Sequence, residues 1–593
     1  LTLVGALVMT LAGCGLFGSG PGPDDVMGAF LGGFSSGDTA RASGSTDAPA
    51  DAKSLLDSVR KALAPESIDT GDVQVHENSG NDTATAAYRI TWHLPHRRLW
   101  SYTANAQLYS AQGGWKVRWV PSVVHPQLGA QQGLAFKVDT PPLAPVLDRD
   151  GVPLLAPQTV IGVMVDPAKA GDLGSVAGKL AGALNRYEPT VTKQSILDGV
   201  KGLRPGFAYP VVSLRSNDYQ QAKPVIYDLP GVRFTEQDRL LAPSADFGKQ
   251  VLPAVRSLVE SQAVGQAGWR VVTVGPNGEE LTELYARPAA AAAAVTSTLS
   301  GKIQAAAESA LTAVPGPAAI VAVQPSTGEL LAVAQNEQAG AQGPISLIGR
   351  YPPGSTFKIV TAAAALTAGL VKIDTPVDCP GTVTFDGRTV PNEGKFALGT
   401  VPLSTAFAKS CNTTFAKLAS QLPPTALTDA AKSLGIGADF VLPGLTTITG
   451  SVPPAGSVVQ RAENGFGQGT VVTSPFGMAV VAATVASGKL VAPTLLRGTP
   501  TVSQNLGAPL RPDVLDALRT MMRDVVTAGT ATGLRNLPDV RGKTGTAQFG
   551  DGTNSHGWFV GYAGDLAFSV LLVGAGSSTP AVKVADRFLK VLG

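Results

Sequence analysis

Two prolines and a glycine, Pro352-Pro353-Gly354, stand directly before Ser355-Thr356-Phe357-Lys358 and an apolar, alanine-rich run from Ile359 to Ala368. None of the three continues a helix, but together they set up a helix start, and the residues that follow are good helix formers. The pattern predicts a helix with Ser355 at its N-terminus. The hydroxyl and backbone N–H of that serine then face the positive end of the dipole, which favours developing negative charge. Lys358 falls three residues on and shares a helix face with the hydroxyl. A serine hydroxyl is a weak nucleophile at neutral pH until a base is set against it. Lysine can be that base only when neutral, so its ordinary pKa of about 10.4 must be lowered by burial or by a second cation. Taken alone, S-x-x-K fits a helix cap with an unrelated lysine equally well.

Two further short motifs follow in order. Ser410-Cys411-Asn412 lies between a helical stretch, Leu403 to Lys409, and another that begins at Thr413. On a short connection it offers a hydroxyl to relay a proton and a carboxamide to orient Lys358 and a substrate amide. Alone it is an ordinary loop sequence. Lys543-Thr544-Gly545-Thr546 is entered through Val540-Arg541-Gly542, and a turn at 550–554 leads to Gly557-Trp558-Phe559-Val560. That reads as strand, turn and returning strand, with a fixed cation and two hydroxyls along one edge and a glycine that lets another backbone come close. Lys543 is also a second cation able to depress Lys358. The bland reading is a solvated Lys-Thr-Gly turn.

The three together, about 55 and about 133 residues apart, resemble the S-x-x-K, S-x-N and K-T-G set of penicillin-binding proteins and class A β-lactamases, with the spacing of class B transpeptidases. Glu463-Asn464-Gly465-Phe466-Gly467-Gln468-Gly469 and Thr473-Ser474-Pro475-Phe476-Gly477-Met478-Ala479 resemble another segment of that family, a Gly-rich turn followed by a helix. The resemblance implies an acyl-serine transferase fold over 290–593 and a peptidoglycan D,D-transpeptidase without cofactor or metal. Ser355 would be the nucleophile, Lys358 its base, Ser410 the proton relay and Asn412 an orienting amide. Lys543, Thr544, Gly545 and Thr546 would hold the terminal carboxylate of a D-Ala-D-Ala stem, with an oxyanion hole at the N–H groups of Ser355 and Thr546. β-Lactams would acylate the same serine.

Competing readings differ by named residues. A class A β-lactamase needs a glutamate in an E-x-x-L-N segment, but the corresponding window, Thr446-Thr447-Ile448-Thr449-Gly450, has no acid. Class D enzymes share Ser-Thr-Phe-Lys but carry valine where Asn412 stands. A D,D-carboxypeptidase has the same motifs. A non-enzymatic β-lactam sensor or division scaffold would tend to lose a motif or to add membrane helices, and no apolar run of that length follows Gly13. A Ser-His-Asp hydrolase lacks the G-x-S-x-G elbow, and His556 is the sole histidine of the last domain.

At 593 residues the chain exceeds a single core and calls for several domains. Met27, Phe30, Leu31 and Phe34, then Leu55, Leu56, Val59 and Leu63, fall at helical spacing. Alternating stretches follow at Thr83 to Trp92, Trp100 to Tyr109 and, after a Gln112-Gly113-Gly114 turn, Trp115 to Val120. Helices followed by hairpins make an α+β cone at 24–135. It resembles the NTF2-like front domain of methicillin-resistance-type penicillin-binding proteins. Leu147-Asp148-Arg149-Asp150-Gly151 resembles the start of the family's mixed pedestal, or dimerisation, domain, here assigned to 141–285. An Arg-Gly pair usual a few residues earlier is replaced by Leu143-Ala144, and the segment is also good turn chemistry. The alanine run 289–295 is expected to begin or precede a helix reaching Leu311. The expected fold class is therefore multidomain, α+β and α/β.

Residues 1–13 form an apolar run too short to span a bilayer, ending in Leu11-Ala12-Gly13-Cys14. This resembles a bacterial lipobox and implies a signal segment, lipidation of Cys14, a tether at 15–23 and attachment to the outer face of the membrane. An ordinary secretory signal is the alternative. No basic segment precedes the run, so the natural start is expected a few residues upstream. In an exported chain the remaining cysteines, Cys379 and Cys411, are candidates for a disulfide, or else two separate buried thiols. A net charge of +2 with 15% charged residues gives no footprint for nucleic acid. Stem peptides, β-lactams, the membrane and a glycosyltransferase are the partners the resemblance implies. Neither an elongation nor a division role is written in these motifs.

Overall fold

The structure is a computed structural model that describes residues 21–593 except 79, 81, 112, 113, 205 and 551. The apolar run, Cys14, most of the tether, and Gln112 and Gly113 of the expected turn lie outside the described residues. Two compact units form, one of residues up to 142 with 263–291, the other of 143–262 with 292–593.

In the first unit the helical spacing becomes helices Pro23–Ser36 and Pro49–Leu63, which bury Met27, Phe30, Leu31, Phe34, Leu56, Val59 and Leu63. The alternating stretches become an antiparallel sheet of Ser67–Asn78, Thr83–Leu94, Arg98–Ala111 and Gly114–Val117, in that order. Side chains of a strand alternate between faces. Ala84, Ala86, Tyr88, Ile90, Trp92 and Leu94 accordingly point to the core, where Trp92 stands opposite Trp100. The last of these strands ends at Val117, because Pro121 opens a short 3-10 turn soon after.

One boundary differs from the expectation. The expected pedestal, 141–285, takes in strand Gly268–Val274 and most of Glu280–Arg287. Instead Gly268–Val274 pairs along its whole length with Gly133–Asp139, and Trp269 and Val271 complete the aromatic core of the first unit. The partner strand lies far away in sequence, so local pattern carries no trace of the pairing.

The second unit opens with the Asp148-Arg149-Asp150-Gly151 turn. Asp148 accepts from the backbone N–H of Asp150 and Val152 at 2.8 Å, and Gly151 takes φ 87°. The long strand Pro153–Val165 pairs with Tyr209–Arg215 and Val232–Leu241 and is covered by Leu173–Leu184, Lys193–Lys201 and Ser216–Ile226. The alanine run is not helical. A short strand, Val295–Thr296, follows it, and the helix Gly301–Leu311 starts where Ser300 caps Ile303 N.

The rest of this unit is built on a five-stranded antiparallel sheet in the order Leu330–Gln335, Ala318–Val323, Leu566–Leu572, Asn554–Ala563, Val540–Phe549. Helices Gly301–Leu311 and Thr579–Leu592 pack on each other and on the sheet. Pro475–Ser487 is apolar all round and buried against it, as a helix without a polar face must be. Val540–Phe549, which carries Lys543-Thr544-Gly545-Thr546, is an edge strand of this sheet. Among the described residues no helix is long and apolar enough to cross a membrane.

Candidate active site

The tetrad starts one turn differently from the expectation. Gly354–Phe357 is a 3-10 turn, and the α-helix proper is Lys358–Thr367. Pro353 lacks an N–H, and its carbonyl accepts from Thr356 Oγ1 at 2.7 Å, which tightens the first turn. Gly354 has φ 52°, and a Cβ there would sit 2.4 Å from the carbonyl of Thr546. Glycine is required at that contact. It brings Ser355 beside the edge strand, and both Ser355 and Thr546 line the cleft.

Ser410-Cys411-Asn412 occupies the connection between helices Leu403–Ala408 and Asn412–Gln421. Ser410 holds φ 64°, in the left-handed region that non-glycine residues avoid. That conformation turns its carbonyl and hydroxyl toward the same amine. Lys358 Nζ lies 2.9 Å from Ser355 Oγ, 2.7 Å from Ser410 O, 3.2 Å from Ser410 Oγ and 2.7 Å from Asn412 Oδ1. Asn412 Nδ2 donates to Pro391 O at 3.0 Å, which fixes its amide with the oxygen toward Lys358.

Lys358 and Lys543 are both fully buried. Burial pushes the Lys358 amine well below its ordinary value; the charge of Lys543 adds to this and Glu393 opposes it. A neutral Lys358 has two N–H groups and one lone pair. Ser410 O and Asn412 Oδ1 take the N–H groups, which leaves the lone pair for the hydroxyl hydrogen of Ser355. Lys543 is lowered by burial to about 7. Its Nζ donates to Ser410 Oγ at 2.9 Å and to Thr544 O at 3.1 Å. The hydrogen of Ser410 is then available to a group in the cleft.

Several participants carry no motif. Phe415 and Phe407 lie under the amines of Lys358 and Lys543 at 5.8 and 5.6 Å. Thr530, on the loop before the edge strand, has its hydroxyl 2.5 Å from that of Thr544. Arg388 Nε donates to Glu463 Oε1 at 2.7 Å, and both side chains line the cleft, whose volume is about 680 Å³. Thr530 sits in a stretch without periodic or motif signal, whereas Arg388 follows Asp386-Gly387, a hairpin signal between the paired strands Thr382–Phe385 and Arg388–Pro391. Glu463 belongs to the Gly-rich segment, where it lies on the helix Val458–Gly465. Cys379 and Cys411 are joined as a disulfide beside the Ser410 loop. Among the described residues no group of histidines, cysteines or carboxylates could hold a metal ion.

Residues 318–591 match the family described as penicillin binding protein transpeptidase domain, and 22–132 match the NTF2-like N-terminal transpeptidase domain. Peptidoglycan D,D-transpeptidase PbpA of Mycobacterium tuberculosis is 31% identical over 231 residues, 36% of this chain and 47% of that protein. Peptidoglycan D,D-transpeptidase MrdA of Acinetobacter baumannii is 28% identical over 252 residues, 36% of this chain and 38% of that protein. The chain thus spans about half the length, or less, of the curated relatives it matches. A solved structure of penicillin-binding protein PBP2 in complex with MreC from Helicobacter pylori shares the fold, with TM-score 0.59 and 18% identity over 77% of this chain and 98% of that one. With an NTF2-like domain at the front and a penicillin-binding transpeptidase domain at the back, the chain belongs to the class B penicillin-binding proteins.

Proposed function

We propose that the chain is a peptidoglycan D,D-transpeptidase that works through an acyl-enzyme on Ser355. The observation that carries this reading is the set of contacts around Lys358 Nζ, which leaves one lone pair for the Ser355 hydroxyl. Lys358 takes the proton of Ser355 as Oγ attacks the carbonyl between the two D-alanines. The C–N bond breaks, and Ser410 delivers its proton to the departing D-alanine as it takes from Lys358 the proton that came from Ser355, while Lys543 holds its hydroxyl oxygen. An amine of a second stem then attacks the ester and gives up a proton to neutral Lys358, the acyl C–O bond breaks, and Lys358 returns that proton to Ser355. Thr544 and Thr546, with the charge of Lys543, hold the terminal carboxylate, and the donor peptide lies in the cleft beside the edge strand.

A β-lactamase would need a base for deacylating water. The window from Thr446 to Gly450 supplies none: Thr447 and Thr449 spend their hydroxyls on the carbonyls of Phe440 and Ala438. Attachment through Cys14 to the outer membrane face and a glycosyltransferase partner complete the proposal and rest on the sequence resemblance. Labelling with a fluorescent penicillin tests it. The expected result is a stable label on the wild type and none on Ser355→Ala. An unlabelled wild type sinks the reading, and rapid release of hydrolysed drug turns it into a β-lactamase.

A further inference from the structure

The helix Asn412–Gln421 begins after Cys411, which offers no side-chain cap. Its first N–H groups therefore need an acceptor from elsewhere. Asn392, 20 residues upstream in sequence, provides it. Its Oδ1 accepts from Asn412 N at 2.7 Å and from Thr413 N at 3.1 Å. Its Nδ2 donates to Pro380 O at 2.9 Å and to Phe396 O at 2.8 Å. Asn392 is 2% exposed, so both ends of its amide are committed inside the protein. The preceding residue, Pro391, accepts from the Asn412 side chain. Two consecutive residues thus fix the backbone and the carboxamide of Asn412, whose oxygen holds Lys358.

We propose that Asn392 is a positioning residue for the acyl-transfer site: it caps the Asn412 helix from outside and so sets the place of the Asn412 oxygen that holds Lys358 against Ser355. The inference rests on the acyl-serine reading above. An ordinary structural cap would affect stability. A positioning cap affects the rate of bond formation in molecules that are folded and have already bound their ligand, because the geometry it controls is that of the base.

Stopped-flow acylation of the full chain by a fluorescent penicillin separates the two. It yields the dissociation constant of the non-covalent complex and the first-order acylation constant, each normalised to the fraction of chain that labels at completion. Asn392→Ala is expected to slow acylation about 10-fold or more while the dissociation constant stays within about threefold. Should Asn392→Ala fail to fold, Asn392→Ser, whose hydroxyl stops short of Asn412 N, is expected to show the same split. Asn392→Asp keeps an oxygen for Asn412 N and Thr413 N but sets its second oxygen against Pro380 O and Phe396 O, so it is expected to recover the rate only in part. Thr413→Val is the structural control, since it removes the 2.8 Å bond from Thr413 Oγ1 to Pro380 O but leaves Asn412 held. No label on the wild type overturns both readings. Wild-type acylation in Asn392→Ala or Asn392→Ser, or a loss no larger than that of Thr413→Val, overturns this one alone.

Discussion

Lys543 Nζ donates to Ser410 Oγ over 2.9 Å, so the cation of the edge strand is wired to the hydroxyl that also lies 3.2 Å from Lys358. The contact does two things. It makes the oxygen of Ser410 an acceptor so that its hydrogen can serve a leaving group, and it keeps a positive charge close to Lys358. The sequence suggested Lys543 as the reason for a neutral Lys358. The structure ranks burial first and the charge of Lys543 second.

That ranking predicts a pH profile. Acylation needs Lys358 neutral, so the rate is present above its depressed pKa and lost as pH falls through it. A second, falling limb is expected on the alkaline side as Lys543 loses its proton, from about 7 upward. Lys543→Ala removes the like charge but not the burial. The acidic limb should then move to higher pH without reaching the ordinary lysine range, and the rate at neutral pH should drop roughly 100-fold. Second-order acylation rates across pH give both limbs; an acidic limb unmoved by the substitution would remove Lys543 from the account of Lys358.

Thr530 and Thr544 present a simpler case. Their hydroxyl oxygens lie 2.5 Å apart, so one must donate to the other. If Thr544 is to donate to a carboxylate in the cleft, Thr530 is the donor to Thr544. Thr530→Val should weaken the initial complex with a carboxylate-bearing β-lactam by about 5-fold, which corresponds to roughly 1 kcal/mol for one neutral hydrogen bond, and change the acylation step less. Saturation kinetics resolve the two constants.

How much of this was legible in sequence depends on the range over which each signal acts. Ser355 and Lys358 are three residues apart, and their helix start is written in Pro352-Pro353-Gly354. Lys543 to Thr546 could be placed on a strand because the returning strand follows after one turn. Trp92 and Trp100 announced their hairpin for the same reason. Asn392 sits in Pro391-Asn392-Glu393-Gly394, which reads as a plain turn, and its importance comes from a helix it does not belong to. Gly268–Val274 went to the wrong unit because its partner strand is Gly133–Asp139. The 3-10 form of the tetrad depends on the close pass of Gly354 against Thr546, another long-range contact. Local chemistry was readable, and pairings across the chain were not.

The bond between Cys379 and Cys411 closes a loop of 32 residues that contains the Asn392 segment and ends beside Asn412. In the chain-entropy picture a loop of this length contributes about 3–4 kcal/mol. The double variant Cys379→Ser, Cys411→Ser should lose about that much in denaturant unfolding of the second unit. It should also acylate more slowly, since Cys411 stands between Ser410 and Asn412. Equal stability of the wild type with and without reductant, with the thiols shown to be reduced, would contradict the expectation.

His125 makes a prediction about the first unit alone. It is buried among Trp100 and Tyr102, with ring centroids at 5.2 and 4.4 Å, and its Nδ1 accepts from Gln127 N at 3.2 Å. Burial lowers its pKa from 6.5 to about 4. Between those values the unfolded chain takes up a proton that the folded unit refuses, so stability rises with pH across the window and is lost as pH falls from 6.5 towards 4. Above 6.5 this histidine contributes no slope. His125→Phe keeps an aromatic ring in the cluster and deletes the titration, at the expense of the Gln127 contact. Calorimetry of both chains at several pH values should show a Tm for the first unit that falls less steeply below pH 6.5 in the variant.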